Sequence, residues 1–325
     1  RASRILIPIL FVLLLCAVGR AVTLPGASAG LAFLFVPDFA AFMNYRTWLE
    51  ALTQSAWSTG AGWGLLLSYA IYVRNTENVV SQAIRIGVGN NLASILAAMA
   101  ILPAAFAVLT PMEARDALSS GNIGLTFVWI PRLFNQMPAG NYLLPVFFVA
   151  LFCAALSSLI AMVELATRAL IDRGLARHEA VRLVVLVSIL CGLPSAFSLA
   201  FFENQDWVWS LGLMISGMFI AMSAIRFGVQ KFREQLVNTH VGGQQAGPWY
   251  DWCLLYFVPV QFAAMFAWWM YQSVVVYEPG AWWNPFRVFS VGTCVLQWGA
   301  VLIGLRIVNR RLLASDPMRR ATLKV

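Results

Sequence analysis

Apolar segments long enough to cross a bilayer recur along the whole chain, with short charged loops between them. A spanning helix needs about 20 mostly apolar residues. Reading with that window predicts eight spans, near residues 4–24, 48–74, 80–108, 141–171, 181–200, 205–229, 249–275 and 284–311. Only 11% of the residues are charged, whereas soluble domains carry about 25%. The chain is therefore predicted to be an all-α polytopic membrane protein.

Positive charge predicts how these spans are oriented. Lysine and arginine cluster after the second, fourth and sixth spans and at the C-terminus, for example at Arg173, Arg177 and Arg182. Loops rich in these residues stay in the cytoplasm, so both ends of the chain are predicted to be cytoplasmic in a multi-pass protein of the cell (inner or plasma) membrane. The net charge of +8 comes from these regions and does not indicate nucleic-acid binding.

The second span contains residues that break helices. Its middle combines two hydroxyl residues with three glycines, namely Ser58, Thr59, Gly60, Gly62 and Gly64. Glycine costs about 1 kcal/mol relative to alanine in a helix interior, so the pattern predicts a helix that is broken at mid-membrane. In transporters such breaks mark substrate and ion sites. The alternative is a stripe of small residues that packs on a neighbouring helix.

Polar residues also recur inside the third and fourth spans. Asn90 and Ser94 are four residues apart and therefore share one helix face. Ala154, Ser157 and Ser158 offer hydroxyl and carbonyl oxygens, which are the ligands that a small hard cation prefers. On its own, the first set is explained better by a hydrogen bond between helices, and the second by helix packing.

Ionisable residues within or beside the spans indicate function by default. Asp172 and Asp206 lie near opposite membrane faces, where a solvated helix cap is an equally good interpretation. Glu164 lies two turns inside the fourth span and is harder to explain as a cap. No set of residues offers nucleophilic or acid–base catalysis, so an enzyme is not predicted.

Two connections between the spans, residues 25–47 and 109–140, are too apolar to be solvated loops. Each is predicted to form short helices that lie over the outer face. They serve either as peripheral packing or as a lid over a vestibule.

Three motifs, VGRAVTLPGA (18–27), TQSAWSTGAGWG (53–64) and FCAALSSLIAM (152–162), resemble the neurotransmitter:sodium symporter family, in its bacterial leucine-transporter-like form. The resemblance runs along essentially the whole chain. It implies the twelve-helix inverted-repeat fold, with this chain starting at the fifth helix and holding helices 5 to 12. Helices 1 to 4 of the same protein would then be its missing partners, and the fragment alone is not expected to transport.

The same resemblance divides residues 1–325, a single transmembrane domain, into parts. Residues 1–24 are the last helix of the first repeat, and 25–47 are an outer loop. Residues 48–229 are the second five-helix repeat, which includes the outer loop 109–140. Residues 230–325 hold two extra helices and a cytoplasmic tail.

The resemblance also implies site residues. It places a first sodium site at Ser58 and Asn90, and a second at Ala154, Ser157 and Ser158. The substrate pocket takes the positions Trp57, Ser58, Gly60, Trp63, Ser158 and Met162. Gly60 replaces a serine and Trp63 a phenylalanine of the type protein, so leucine specificity does not transfer.

Four of five family chloride-site positions are present, namely Gln54, Ser58, Asn90 and Ser94. None is a carboxylate, so the counter-charge for two sodium ions is expected to come from chloride or from a carboxylate in the missing half. The implied gate residues are Asp206 on the outer side and Asp172, Tyr72 and Glu164 on the inner side. Glu164 stands where the type protein has glutamine.

The function that follows is sodium-coupled symport of an amino acid or related small amine by alternating access, with two Na⁺, with Cl⁻ as the candidate third ion, and without an organic cofactor. Two other functions remain open at this point. A non-transporting receptor on the same fold would bind sodium and substrate without uptake. An ion channel would need a continuous wet path, whereas the polar residues here cluster at mid-depth.

Overall fold

The structure, a computed structural model, describes residues 3–70, 77–136, 140–239 and 243–315. Helices make up most of these ranges, and no strand occurs within them, which confirms the all-α prediction. The helices in chain order are α1 (Ser3–Val22), α2 (Ala27–Phe35), α3 (Phe39–Phe42), α4 (Tyr45–Ser58), α5 (Leu65–Ala70), α6 (Val79–Val108), α7 (Pro111–Ser119), α8 (Gly121–Gly124), α9 (Ile130–Gln136), α10 (Gly140–Ile171), α11 (Arg177–Phe197), α12 (Leu199–Phe227), α13 (Val229–Phe232), α14 (Trp249–Trp252), α15 (Val258–Gln272) and α16 (Val291–Ser315). Other helical turns are the 3₁₀ turn Ala61–Trp63 and the π-helical turns Leu125–Trp129, Arg233–Val237, Cys253–Phe257 and Ser273–Tyr277.

Six helices of the described ranges are long and apolar enough to cross a membrane. They are Val79–Val108, Gly140–Ile171, Arg177–Phe197, Leu199–Phe227, Trp249–Tyr277 and Val291–Val308. The two other predicted spans correspond to α1, which bends by 112° into the short helices that follow it, and to the interrupted segment 45–70. A multi-pass helical membrane protein is therefore the architecture.

Two span boundaries differ from the sequence prediction because capping residues set them. The predicted connection around residues 201–204 is helical, and the break lies at Ser198, whose side chain accepts a hydrogen bond from the Phe201 amide at 3.3 Å. The last span starts at Val291 rather than near residue 284. There the Ser290 hydroxyl donates to the Asn284 carbonyl at 2.6 Å and accepts from the Thr293 amide at 3.0 Å.

Both apolar connections contain short helices, as predicted: α2 and α3 in the first, and α7 to α9 in the second. The α7 helix starts with a capping box, in which Thr110 and Glu113 each bind the other's backbone amide. The Thr110 hydroxyl also donates to the Glu113 carboxylate, at 2.7 Å, and this bond, followed by the bond from the Thr110 amide, lowers the pKa of Glu113. The carboxylate half of the cap, in which Glu113 accepts from Thr110, is therefore present at neutral pH and is lost as the pH falls through that lowered pKa.

The chain divides into two compact units, each with its own packing. The first, residues 1–47 with 67–181, is built on small residues. Its buried cluster contains Ala21, Leu24, Ala27, Ala104, Ala105, Leu109, Ala114, Ala117 and Leu133. At Gly30 of α2, an added Cβ would lie 2.6 Å from the Pro103 Cα of α6, so only glycine permits this close helix crossing.

The second unit, residues 48–66 with 182–325, is built on aromatic residues around α12. Trp207, Val208 and Leu211 are buried with Cys294 of α16. Trp269 of α15 packs on this cluster and donates a hydrogen bond from its indole to the Thr53 hydroxyl of α4, at 3.2 Å.

The interrupted segment approaches α12 in the same unit at Gly62. A Cβ added there would overlap the Leu213 carbonyl oxygen and lie 3.2 Å from the Gly217 amide nitrogen. Two glycines, Gly62 and Gly217, thus bring the backbone of the 3₁₀ turn against the backbone of α12.

Gly62→Ala is expected to lower stability by about 1–3 kcal/mol, because the new methyl group forces the 3₁₀ turn away from α12. Gly89→Ala in α6 is the matched control, since a Cβ there meets no atom within 4 Å, and it is expected to be neutral or slightly stabilising. Thermal unfolding in detergent measures both variants. Equal melting temperatures would contradict the close approach.

Candidate functional site

The predicted break in the second span is confirmed. The α4 helix ends at Ser58, and the chain then passes through Gly60, a 3₁₀ turn and Gly64 before α5 begins. Gly60 and Gly64 have φ angles of 64° and 75°, a backbone conformation that costs glycine almost nothing and other residues substantially. Local sequence chemistry therefore fixes where the helix stops.

Most of the backbone at the break is satisfied locally. The Thr59 amide and hydroxyl both donate to the Ser55 carbonyl, at 3.2 and 2.9 Å. The Gly60 amide donates to the Trp57 carbonyl at 3.2 Å. A carbonyl oxygen has two lone pairs, so the Ser55 carbonyl is fully used, whereas the Trp57 carbonyl keeps acceptor capacity at the end of a helix, where the dipole favours a cation.

Two aromatic side chains face each other across the break. The rings of Trp57 and Trp63 lie 5.3 Å apart, centroid to centroid, at an angle of 41°. The structure thus brings together two residues of the predicted substrate pocket that flank Ser58 and Gly60. Trp57 remains 36% exposed, so part of its ring is available to a ligand.

The third span places its polar residues as the four-residue spacing predicts. The Ser94 hydroxyl donates to the Asn90 carbonyl at 3.0 Å, which puts both on one face of α6. Asn90 itself is half-buried. The neighbouring Asn91 amide donates to the Gly87 carbonyl at 3.1 Å and is thereby engaged with its own helix.

The fourth span presents adjacent oxygen atoms on α10. The Ser157 hydroxyl donates to the Ala154 carbonyl at 2.8 Å, so two of the predicted sodium ligands are in direct contact. The hydroxyl retains its own lone pairs as an acceptor. Ser158 is the next residue, and Met162 lies one turn further on the same face. Neutral oxygens of this kind fit a hard monovalent cation.

Glu164 is held by two arginines. Arg177, the first residue of α11, donates to both carboxylate oxygens, at 2.8 and 3.1 Å. Arg168, one turn along α10, donates from its Nε at 3.2 Å. The sequence alone indicates Glu164 but not these partners, because it predicts Arg177 only as a positive charge in a loop.

The remaining gate positions are less enclosed. Asp172 follows the end of α10 and is exposed, as is Asp206 on α12. Tyr72 lies outside the described residues.

The predicted site residues divide between the two units. Asn90, Ser94, Ala154, Ser157, Ser158, Met162, Glu164 and Asp172 belong to the first unit, and Gln54, Trp57, Ser58, Gly60, Trp63 and Asp206 to the second.

Sequence reasoning missed a group of side-chain amides in the second unit. Asn204 and Gln205 of α12 form hydrogen bonds with Gln297 of α16 and with each other. Thr293 of α16 also accepts from Asn204 and from Gln297. We call these four residues the amide cluster. The sequence does contain a signal for this cluster: three amide side chains lie in otherwise apolar spans, where an amide needs a polar partner.

Comparison with known proteins gives consistent matches. A family model described as the Sodium:neurotransmitter symporter family matches residues 4–313. The uncharacterized sodium-dependent transporter YhdH of Bacillus subtilis is 31% identical over 82% of this chain and 60% of its own length. The sodium- and chloride-dependent GABA transporter ine of Drosophila melanogaster is 26% identical over 92% of this chain and 33% of its own length.

One solved structure shows the same fold. The crystal structure of MhsT in complex with L-phenylalanine superposes with a TM-score of 0.66 at 28% identity, covering 82% of this chain and 62% of MhsT. This likeness confirms the predicted leucine-transporter-type fold. The chain spans between a third and about three fifths of the length of these relatives.

The ion pair between Glu164 and Arg177 is expected to contribute about 0.5–1 kcal/mol, since the Arg177 side chain is 58% exposed and solvent screens the pair. Glu164→Gln and Arg177→Gln are each expected to lower the melting temperature, and the double variant to lose less than the sum. A double-mutant cycle by thermal unfolding measures this coupling. Strict additivity would show that the contact carries no energy.

Proposed function

We propose that this chain, which belongs to the sodium:neurotransmitter symporter family, acts in sodium-coupled symport of an amino acid or a related small amine by alternating access. The observation that carries the proposal is the broken helix around Ser58 and Gly60, with its paired tryptophans. A packing stripe alone does not require two glycines with positive φ. A helix broken within a membrane span is instead typical of transporter binding sites.

We propose two sodium sites. The second site uses Ala154, Ser157 and Ser158, and the contact between the Ser157 hydroxyl and the Ala154 carbonyl supports it. The first site uses Ser58 and Asn90. The end of α4 at Ser58 supports it, since carbonyl-rich helix ends favour cations.

The proposed substrate site uses Trp57, Ser58, Gly60, Trp63, Ser158 and Met162. A hydrophobic pocket lined by aromatic rings, with a few polar groups, suits an amino acid that has an apolar side chain. The relative MhsT was solved with L-phenylalanine, which supports this substrate class. A sodium ion beside the substrate carboxylate would link the two binding events, because separating opposite charges costs free energy.

Chloride is the proposed counter-ion, at Gln54, Ser58, Asn90 and Ser94. All four are neutral, whereas two bound sodium ions need compensating charge. The shared helix face of Asn90 and Ser94 and a relative named as sodium- and chloride-dependent support this choice. The alternative source of negative charge is a carboxylate elsewhere in the whole protein.

The proposed gates are Asp206 at one end, and Asp172, Tyr72 and Glu164 at the other. The two-arginine contact of Glu164 supports a role for charge at the inner end. We further propose that the protein lies in the cell (inner or plasma) membrane with both ends of this chain in the cytoplasm, as the distribution of lysine and arginine indicates.

Uptake into liposomes tests the function. The full-length protein is reconstituted, and pooled labelled amino acids are offered under an inward sodium gradient, with a potassium gradient as control. Uptake is expected only with sodium, and it is expected to fall when gluconate replaces chloride. Saturable, sodium-dependent binding without uptake would indicate a receptor instead, and sodium current without saturable substrate binding would indicate a channel.

Ser157→Ala tests the second sodium site. Losing one ligand to a cation is expected to raise the half-saturating sodium concentration for uptake by about 10-fold. Ser223→Ala is the matched control, because Ser223 lies on the membrane helix α12 and likewise donates to a carbonyl of its own helix, at 2.9 Å. An unchanged sodium dependence in Ser157→Ala, or an equal shift in the control, would contradict the site.

A further inference from the structure

The amide cluster, Asn204, Gln205, Thr293 and Gln297, uses nearly all of its hydrogen-bonding capacity. The Asn204 amide group donates to the Val288 carbonyl at 2.8 Å and to the Thr293 hydroxyl at 3.2 Å. Its oxygen accepts from Gln297 at 2.8 Å and from Gln205 at 3.1 Å. Asn204 is therefore the central residue of a network that joins α12 to α16.

The two glutamines close this network. The Gln205 amide also donates to the Gln297 oxygen at 3.3 Å, and its own oxygen accepts from the Trp209 indole at 3.1 Å. Gln297 donates a second bond to Thr293 at 3.3 Å. Three amides in a triangle thus satisfy one another, and this pattern requires one particular setting of the two helices. A partly satisfied polar network in a low-dielectric environment would be worse than none.

The cluster fixes which face of α12 meets α16. Asn204 lies on the same face as Val208, four residues later, and Val208 is fully buried and accepts a hydrogen bond from the Trp298 indole of α16 at 3.1 Å. Successive residues of a helix differ by about 100°, so Asp206 points roughly 160° away from Val208. Asp206 is accordingly exposed, although the next two residues are buried.

We propose that Asn204 and Gln297 are positioning residues, which fix the rotation of the first turns of α12 against α16 and so hold the Asp206 carboxylate on the face turned away from α16. This orientation of Asp206 matters for transport only through the function proposed above, in which Asp206 belongs to a gate. The rotation of α12 against α16 does not depend on that function.

The competing explanation is that any loss of packing between α12 and α16 would change the orientation of Asp206. One contact distinguishes this explanation from a specific role of the amides. The bond from Trp298 to the Val208 carbonyl crosses the same interface but involves no member of the amide cluster. Removing it should loosen packing without freeing the amides. Trp298→Phe is therefore the matched control for the near-isosteric variants Asn204→Leu and Gln297→Met.

Thiol labelling measures the direction of position 206 without any substrate. The full-length protein carrying Asp206→Cys is placed in lipid nanodiscs, where both membrane faces are accessible, and is modified with a charged methanethiosulfonate reagent. The protein with Asp206 intact is the blank for native cysteines. Adding Asn204→Leu or Gln297→Met is expected to slow modification by about fivefold, as rotated states become populated. Trp298→Phe is expected to leave the rate within about twofold.

Unchanged rates in both amide variants would overturn the proposal, and so would an equal decrease in Trp298→Phe. The use of two amide variants keeps the test decisive if one of them fails to fold, which size-exclusion chromatography detects.

Uptake then tests whether the orientation matters for transport. With the amino acid found to be transported, Gln297→Met is expected to raise KM by about fivefold, and to cause no further change when Asp206→Asn is already present. An equal additional effect in the Asp206→Asn background would indicate a general structural defect and contradict positioning. If the parent protein shows no uptake, the proposed function fails, and the labelling rates alone decide the proposal.

Discussion

A chain that faces lipid must satisfy its backbone polar groups by itself, because the hydrocarbon offers no water to bind them. Long helices meet this constraint over most of the described spans, and the segment between Ser58 and Leu65 meets it without one. There the chain uses Gly60 and Gly64 to turn, 3₁₀ bonds to close the helix end, and a close backbone approach at Gly62 to pack the turn on α12. The substrate part of the candidate site depends on this break, since it brings Trp57 and Trp63 together beside Ser58 and Gly60.

Polar side chains in the spans meet the same constraint in three ways. Ser157 binds a carbonyl of its own helix, which leaves its oxygen usable by a cation. Glu164 takes its charge partners from Arg168 and from the start of the next helix. Asn204 takes neutral partners from a distant helix. A hydroxyl that bonds only within its own helix, such as Ser157, can still bind an ion. A fully hydrogen-bonded network between two helices, such as that of Asn204, holds the helices in place.

The α12 helix joins several of these features within its unit. The 3₁₀ turn packs on it at Leu213 and Gly217, Trp269 of α15 contacts its aromatic cluster and also α4, and α16 binds its first turns through the amide cluster. Asp206 lies on the same helix, on the exposed face that is turned away from α16. A shift of α12 would therefore change the surroundings of the break and of this carboxylate together.

The sequence by itself determined the features whose causes are local: apolar length predicted most spans, glycine and hydroxyl residues predicted the break at Ser58, and four-residue spacing predicted the shared face of Asn90 and Ser94. Tertiary structure decided what depends on distant neighbours. It showed Arg177 at Glu164, Gln297 at Asn204 and the caps that shifted two span boundaries. Periodicity reports which face a residue occupies, but hydrogen-bond partners far apart in the chain are chosen only when helices pack, because their pairing depends on the helix crossing and not on spacing.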